Sequence, residues 1–250
     1  MSSQVTAVVV CHDTGDYLTQ TLRALSQQTR PADRIILVNT SGEALGQTLG
    51  STQTIELDRK TKLPEALAAA TETLISSDTH WLWILHDDSA PEPDCLAALL
   101  ATLDTTALVG VIAPKQVDPE HPRIIRQLGL TLTPLGEPLS IVSGELDQSQ
   151  HDSMSDVMAV STAGLLVRTD IFEQLDGLSP KAPPLAADYD LSLRVRLAGL
   201  RVMVAPAARI RHAQLSLEGK RSRAWLGGSP KTAVRKAAVH LRLAFSPLWF

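Results

Sequence analysis

WLWILHDD, residues 81–88, is the stretch that decides how this chain folds. Trp81, Leu82, Trp83, Ile84 and Leu85 are apolar without alternation, which marks a strand buried on both faces. The run then breaks into His86, Asp87 and Asp88, so the strand delivers polar groups at its carboxyl end. Working outward, Val5–Val10 has the same character and ends in Cys11, His12 and Asp13. Arg34–Val38 ends in Asn39, Thr40 and Ser41, Thr54–Leu57 is a short third strand, and Leu108–Ala113 is again strand-like. Between them, Asp16–Gln27 places Leu18, Leu22 and Leu25 on one helical face. Pro64 opens an alanine-rich helix to about Ile75, and Pro93–Leu103 forms another. Strand and helix alternate at roughly 20–25 residues, the pattern of stacked βαβ units and a mostly parallel sheet.

The second half changes character. Arg123–Val142 mixes short apolar runs with Gly and Pro, as hairpins do, and the polar stretch Glu145–Asp156 is expected to be a mobile loop. Val157–Val167 is strand-like, Asp170–Leu175 a short helix, and Asp188–Ala198 a helix. Val202–Ala205 and Ala208–Arg211 read as two short strands ending at His212.

Bulk properties exclude several classes. At 250 residues, 44% hydrophobic and 20% charged, the chain can bury one large α/β core. No run reaches the ~18 apolar residues of a membrane span, and the N-terminus lacks the basic region of a signal peptide. Cys11 and Cys95 form no disulfide framework, which points to a reducing compartment. Nothing indicates nucleic acid as a partner. From Leu217 onward the basic residues are Lys220, Arg221, Arg223, Lys231, Arg235, Lys236 and Arg242, against Glu218 alone. A basic tail behind an acidic domain suits an anionic surface such as a membrane, and equally a solvated basic helix.

In open parallel sheets, ligands bind outside the carboxyl ends of the strands. No GxGxxG and no GxxxxGK[ST] follows any strand here, so phosphate must be handled otherwise. Paired carboxylates at a strand end suit Mg²⁺ or Mn²⁺, which takes one or two of them and completes its shell with phosphate oxygens and water. Asp87 and Asp88 fit that description; they also fit a plain cap on the helix near Pro93.

The order VTAVVVCHD…YLTQTLRAL, RIILVNTSG, WLWILHDDSAPEPDCL, STAGLLVRTDIFEQLDGL, ADYDLSLRVRLAGLRVMVAP and RIRH resembles family 2 glycosyltransferases over about Val5 to His212. The resemblance implies the α/β GT-A fold: a mostly parallel central sheet flanked by helices, with a smaller mixed acceptor-side region. It divides the chain into a nucleotide-sugar-binding half (1–115), an acceptor-side and catalytic half (116–216) and the basic tail (217–250). It further implies that Asp88 and His212 ligate a divalent metal, Mn²⁺ or Mg²⁺, and that Asp188 is the catalytic base. Asp87 is expected beside the nucleotide ribose or the metal's water shell. Val10, Cys11, His12 and Asn39 are expected around the nucleobase, and Lys62 near the diphosphate.

Departures accompany the match. His86 stands where the family pattern usually has an acid, and is expected to contact the nucleotide or to replace that acid with little loss. Ala187 replaces the first acid of the motif before Asp188, while Arg194 keeps the usual basic position. Asn39 replaces the usual Asp. At the start of a helix Asp188 would sit among orphan N–H groups, where it would serve as a base or merely as a cap.

The expected activity is inverting transfer of a hexosyl or pentosyl group from a nucleoside-diphosphate sugar to a glycan or lipid-linked acceptor. The resemblance favours a domain of a larger bacterial cell-envelope enzyme at the cytoplasmic face of the membrane. The rival readings are an inactive sugar-nucleotide-binding regulatory domain and a nucleotidyltransferase; the latter normally carries a Gly-rich phosphate loop, and none is seen.

Overall fold

The computed structural model describes residues 3–45, 52–220 and 229–245. In chain order the elements are β1 (Gln4–Cys11), α1 (Asp16–Ser26), β2 (Arg34–Asn39), β3 (Gln53–Glu56), α2 (Leu63–Thr71), β4 (His80–His86), β5 (Ser89–Pro91), α3 (Cys95–Asp104) and β6 (Val109–Val117). There follow β7 (Ile124–Leu132), β8 (Pro138–Val142), β9 (Glu145–Leu146), β10 (Leu166–Arg168), α4 (Thr169–Gln174), α5 (Pro184–Leu197), β11 (Arg201–His212) and α6 (Pro230–Phe245).

The central sheet runs β3-β2-β1-β4-β10-β6-β11-β5. β3, β2, β1 and β4 are mutually parallel, and β11 runs parallel to β6. β10 is antiparallel between β4 and β6. β7 pairs with β6 and in turn carries β8 and β9.

Two-sided burial explains the unalternating strands. On β1, Val8 and Val10 pack to one side, while Val5, Ala7, Val9 and Cys11 pack to the other. β4 divides likewise, Leu82 and Ile84 against Trp81, Trp83 and Leu85. The first layer is closed by α2, α4 and α5 through Leu67, Phe172 and Val195; the second by α1 and α3 through Leu22 and Leu99. Each such apolar side chain, fully buried, contributes about 1.5–3 kcal/mol of transfer free energy. Close approach of α5 needs Gly110 on β6, because a Cβ there would lie 2.6 Å from Val195 Cγ1.

Several local expectations change. The alanine-rich helix ends at Thr71 rather than Ile75. Val157–Val167 is mostly irregular: β10 starts only at Leu166, after Gly164 at φ +91 has turned the chain. The two expected short strands are one, β11, which continues through a register shift between Ala205 and Arg209. The segment expected to be a mobile loop is tied down by charge. Lys115, 2% exposed, donates to Asp147 and Asp152 at 3.0 Å, and Arg209 Nη1 reaches Asp147 at 2.8 Å. Part of the basic tail is α6, whose Ala237 and Leu241 pack with Ala186 and Tyr189 of α5. Its Lys231, Arg235, Lys236 and Arg242 are exposed. Among the described residues, no helix is long and apolar enough to cross a membrane.

Candidate functional site

Strand register brings the distant motifs together. β5 follows Asp88 directly and pairs antiparallel with the end of β11, setting Ser89 opposite His212. The turn out of β4 is held by Ser89, whose hydroxyl donates to the His86 carbonyl and accepts the His86 N–H, both at 2.8 Å. Asp88 Oδ1 therefore lies 3.4 Å from His212 Nε2, with Asp88 and His212 only 5% and 7% exposed. Asp88 Oδ2 accepts the Leu215 N–H at 3.0 Å, fastening the chain beyond β11 over the site. His86 completes the group: one ligand atom each from His86, Asp88 and His212 lie within 4.8 Å of one another. The two imidazoles meet edge-on, centroids 5.7 Å apart.

Two buried side chains orient these groups. Gln116 Oε1 is 2.8 Å from His212 Nδ1; an amide oxygen only accepts, so Nδ1 is the donor of that bond and Nε2 is the nitrogen turned toward Asp88. Thr162 Oγ1 is 3.1 Å from His86 Nε2.

Asp188 lines the same cleft as His12, His86, Asp88 and His212. It is not at the start of its helix, however. α5 begins at Pro184, so Asp188 lies in the second turn, beyond the orphan N–H groups expected to stabilise it. Its Oδ1 accepts the Thr162 N–H at 3.1 Å. Burial pushes its carboxyl up to about 6, against the opposing effect of hydrogen bonds from Thr162 and Ser161 and of the His212 imidazole. The correction matters chemically, because a cap would have been a weaker base.

The other expected site residues divide between this cleft and the backbone around it. Val10 and Cys11 are buried in opposite core layers and do not line the cleft. Asp87, fully buried, accepts the His12 and Asp13 N–H groups at 2.7 and 2.9 Å, strapping the end of β1 to the end of β4. His12 remains at the cleft, its Nδ1 2.6 Å from Thr40 Oγ1. The Asn39 amide is committed internally: Nδ2 donates to Glu43 O and Glu56 Oε2, and Oδ1 accepts from Ser41 N and Oγ. Lys62 is exposed, one residue before cleft-lining Leu63.

Gln116, Ser161 and Thr162 are site residues that sequence reasoning missed. Gln116 falls past the strand read at Leu108–Ala113, so the sequence did not mark it; β6 in fact runs buried to Val117, and a polar side chain there must find a partner. Ser161 and Thr162 had only their place before Ala-Gly in one quoted segment. The cleft measures about 90 Å³, room for reacting groups rather than for a whole nucleotide sugar. A groove of about 610 Å³ between α2 and α4 is larger but holds none of the expected site residues.

With this geometry established, known proteins provide the comparison. The family model described as "Glycosyltransferase like family 2" matches residues 3–228. No curated protein matches the chain in sequence. Among solved structures, GalNAc-T7 with UDP, GalNAc and Mn²⁺ is similar at a TM-score of 0.66 and 16% identity, over 95% of this chain and 48% of that one. S. aureus TarS is similar at 0.56 and 15%, over 86% and 37%. The mannosyltransferase PcManGT from Pyrobaculum calidifontis, in complex with GDP-Man and Mn²⁺, is similar at 0.55 and 17%, over 99% and 77%. The chain thus spans about half or less of the first two. At these identities the likeness is one of fold.

Proposed function

The chain belongs to the family 2-like glycosyltransferases and has their GT-A fold, and from that premise we propose an inverting, metal-assisted transfer from a nucleoside-diphosphate sugar to an acceptor hydroxyl. One observation carries the reading: Asp88, His212 and Asp188 converge on a single cleft at the carboxyl ends of β4 and β11, from positions far apart in sequence.

Asp88 and His212 would hold the divalent cation, Mn²⁺ or Mg²⁺. When bound, that cation supplies Lewis-acid neutralisation of the leaving diphosphate. Asp188 accepts the proton of the acceptor hydroxyl as it attacks the anomeric carbon from the face opposite the leaving group. A carboxylate titrating near 6 suits that task, being ionised at neutral pH yet more basic than an ordinary Asp. Thr162 holds it by its backbone N–H, and the strap from Asp87 holds His12 at the donor side. Much of the rate then comes from positioning.

A nucleotide-sugar donor is supported by two of those solved structures, which contain UDP with GalNAc and GDP-Man. For the acceptor we propose a cell-envelope glycan or lipid-linked glycan at the inner face of the membrane, with the exposed basic residues of α6 against anionic lipid. Neutralising those four residues should weaken sedimentation with anionic vesicles; unchanged sedimentation removes the membrane element alone. The function itself is tested by incubating a panel of sugar nucleotides with the chain and Mn²⁺. Thermal stabilisation identifies the donor. Release of nucleoside diphosphate, with the sugar's anomeric configuration inverted in the product, is the expected outcome. Release of pyrophosphate, or binding without transfer to any acceptor, overturns it.

A further inference from the structure

We infer that His86 is the third protein ligand of the cation, and that the resulting site of two imidazoles and one carboxylate selects a first-row transition dication over Mg²⁺. The inference rests on the metal-assisted reading above and goes beyond it, in a residue and in the chemical class of the ion.

The geometry comes first. Cation bonds to N and O of about 2.1 Å put ligand atoms roughly 3–4.2 Å apart, depending on their angle at the ion. The ligand atoms of His86, Asp88 and His212 already lie within 4.8 Å, so closing on an ion takes side-chain movements of no more than about an ångström. The scaffold under them is fixed. His86 is the last residue of β4, its backbone locked by Ser89, and His212 is the last residue of β11, paired with Ser89 across the strands. Each ring has its own orienting partner, Gln116 for His212 and Thr162 for His86. Such partners set the tautomer and direction of a ligating imidazole.

The donor set decides the ion. Mg²⁺ is hard, prefers oxygen and gives up water reluctantly, whereas imidazole nitrogen suits first-row transition dications such as Fe²⁺, Ni²⁺ and Zn²⁺; Mn²⁺, the least favoured of that row, is the strictest comparison with Mg²⁺. Had residue 86 been an acid, the set would have been dominated by carboxylate oxygen. With His86 the site contributes one negative charge to a dication, leaving a net charge of about +1 to meet a diphosphate.

The test reads binding rather than turnover. The full chain is stripped with chelator, and Mn²⁺ and Mg²⁺ affinities are measured by calorimetry. Pulsed electron paramagnetic resonance then reads the nitrogens coupled to bound Mn²⁺. Expected are at least tenfold tighter binding of Mn²⁺ than of Mg²⁺ and couplings from two imidazoles. His86→Ala should lose one coupling and more than tenfold in Mn²⁺ affinity. His86→Asp, which restores an oxygen ligand, should narrow the Mn²⁺-to-Mg²⁺ ratio. If the alanine variant fails to fold, the wild-type couplings and ratio still decide. One imidazole coupling, equal affinities for the two ions, or unchanged Mn²⁺ binding in His86→Ala overturns the inference. A chain that binds Mn²⁺ through both imidazoles but transfers no sugar sinks the proposed function and leaves this site standing.

Discussion

Asp188→Asn should make the protein more stable while stopping it working. The carboxylate is held in the second turn of α5, past the helix's free N–H groups, and burial raises its pKa from 3.8 to about 6. Holding the carboxyl that far above its ordinary value forfeits on the order of 1–3 kcal/mol of folding free energy when the group is ionised, because the half-buried side chain keeps part of its solvation. The sign follows from proton uptake. Between about pH 4 and pH 6 the folded chain binds a proton that the unfolded chain has released, so stability falls as pH rises through that window and levels off above it. Asparagine keeps an oxygen to accept the Thr162 N–H and carries no charge to desolvate. The variant should therefore match the wild type near pH 4 and exceed it above pH 7 by up to about 3 kcal/mol. For a chain of this length that is on the order of 5–10 °C in melting temperature. The measurement is thermal or urea unfolding in chelator across pH 4–8, since a bound cation would favour the ionised carboxylate. In parallel, transfer should drop by roughly 10²–10⁴-fold, the usual worth of a general base. A stability difference that does not grow between pH 4.5 and 7.5 would refute the burial account, and substantial remaining turnover would refute the base.

The other predictions concern the same cleft. With Asp188 as base, kcat/KM should rise about tenfold per pH unit on the acid side and level off at or below about pH 6, because a bound cation lowers the limb further; a limb near 4 with the metal absent from the donor-binding step would contradict it. Gln116→Leu leaves the fold intact but frees the His212 ring, so Mn²⁺ affinity should fall roughly 10–100-fold by calorimetry. Gly164→Ala should cost about 2–4 kcal/mol in urea unfolding, since φ is +91 and the new Cβ would lie 2.8 Å from Pro114 Cγ. Breaking the buried ion pair with Asp147→Ala should destabilise by about 3–5 kcal/mol and loosen the 145–156 segment to proteolysis, because Lys115 is left charged and only partly paired.

The parallel half of the sheet was legible because burial on both faces writes itself as an unbroken apolar run. Val5–Val10, Arg34–Val38 and Trp81–Leu85 each lie within the strand they predicted. Reading failed where a polar residue was buried or an apolar one was not regular. β6 seemed to end at Ala113 because Lys115 and Gln116 interrupt its hydrophobicity, yet both are buried and hydrogen-bonded. Val202–Ala205 and Ala208–Arg211 read as separate strands because Pro206 lies between them, and the sheet joins them through the irregularity between Ala205 and Arg209. Helix starts were legible from prolines at α2 and misjudged at α5, where Pro184 lies four residues before Asp188.

That last misjudgement bears most on chemistry. Local sequence says that an Asp before a run of Leu and Arg is a cap, and a cap is a low-pKa acceptor spent on backbone N–H groups. Moving the helix start back to Pro184 turns the same residue toward the cleft of His86, Asp88 and His212 and removes the donors that would have held its charge. The raised carboxyl is thus a consequence of helix phase, and phase is set by tertiary packing: Leu191 and Val195 must face the sheet, with Val195 seated over Gly110. A substitution that rotated α5 without touching Asp188 would therefore change its basicity. Gly110→Ala is that substitution, because its Cβ would meet Val195 Cγ1 at 2.6 Å and press on the helix. Its transfer rate should fall with an altered acid limb while metal affinity stays near that of wild type, since β4 and β11 keep their register; a loss confined to metal binding would show that α5 is not what positions the base.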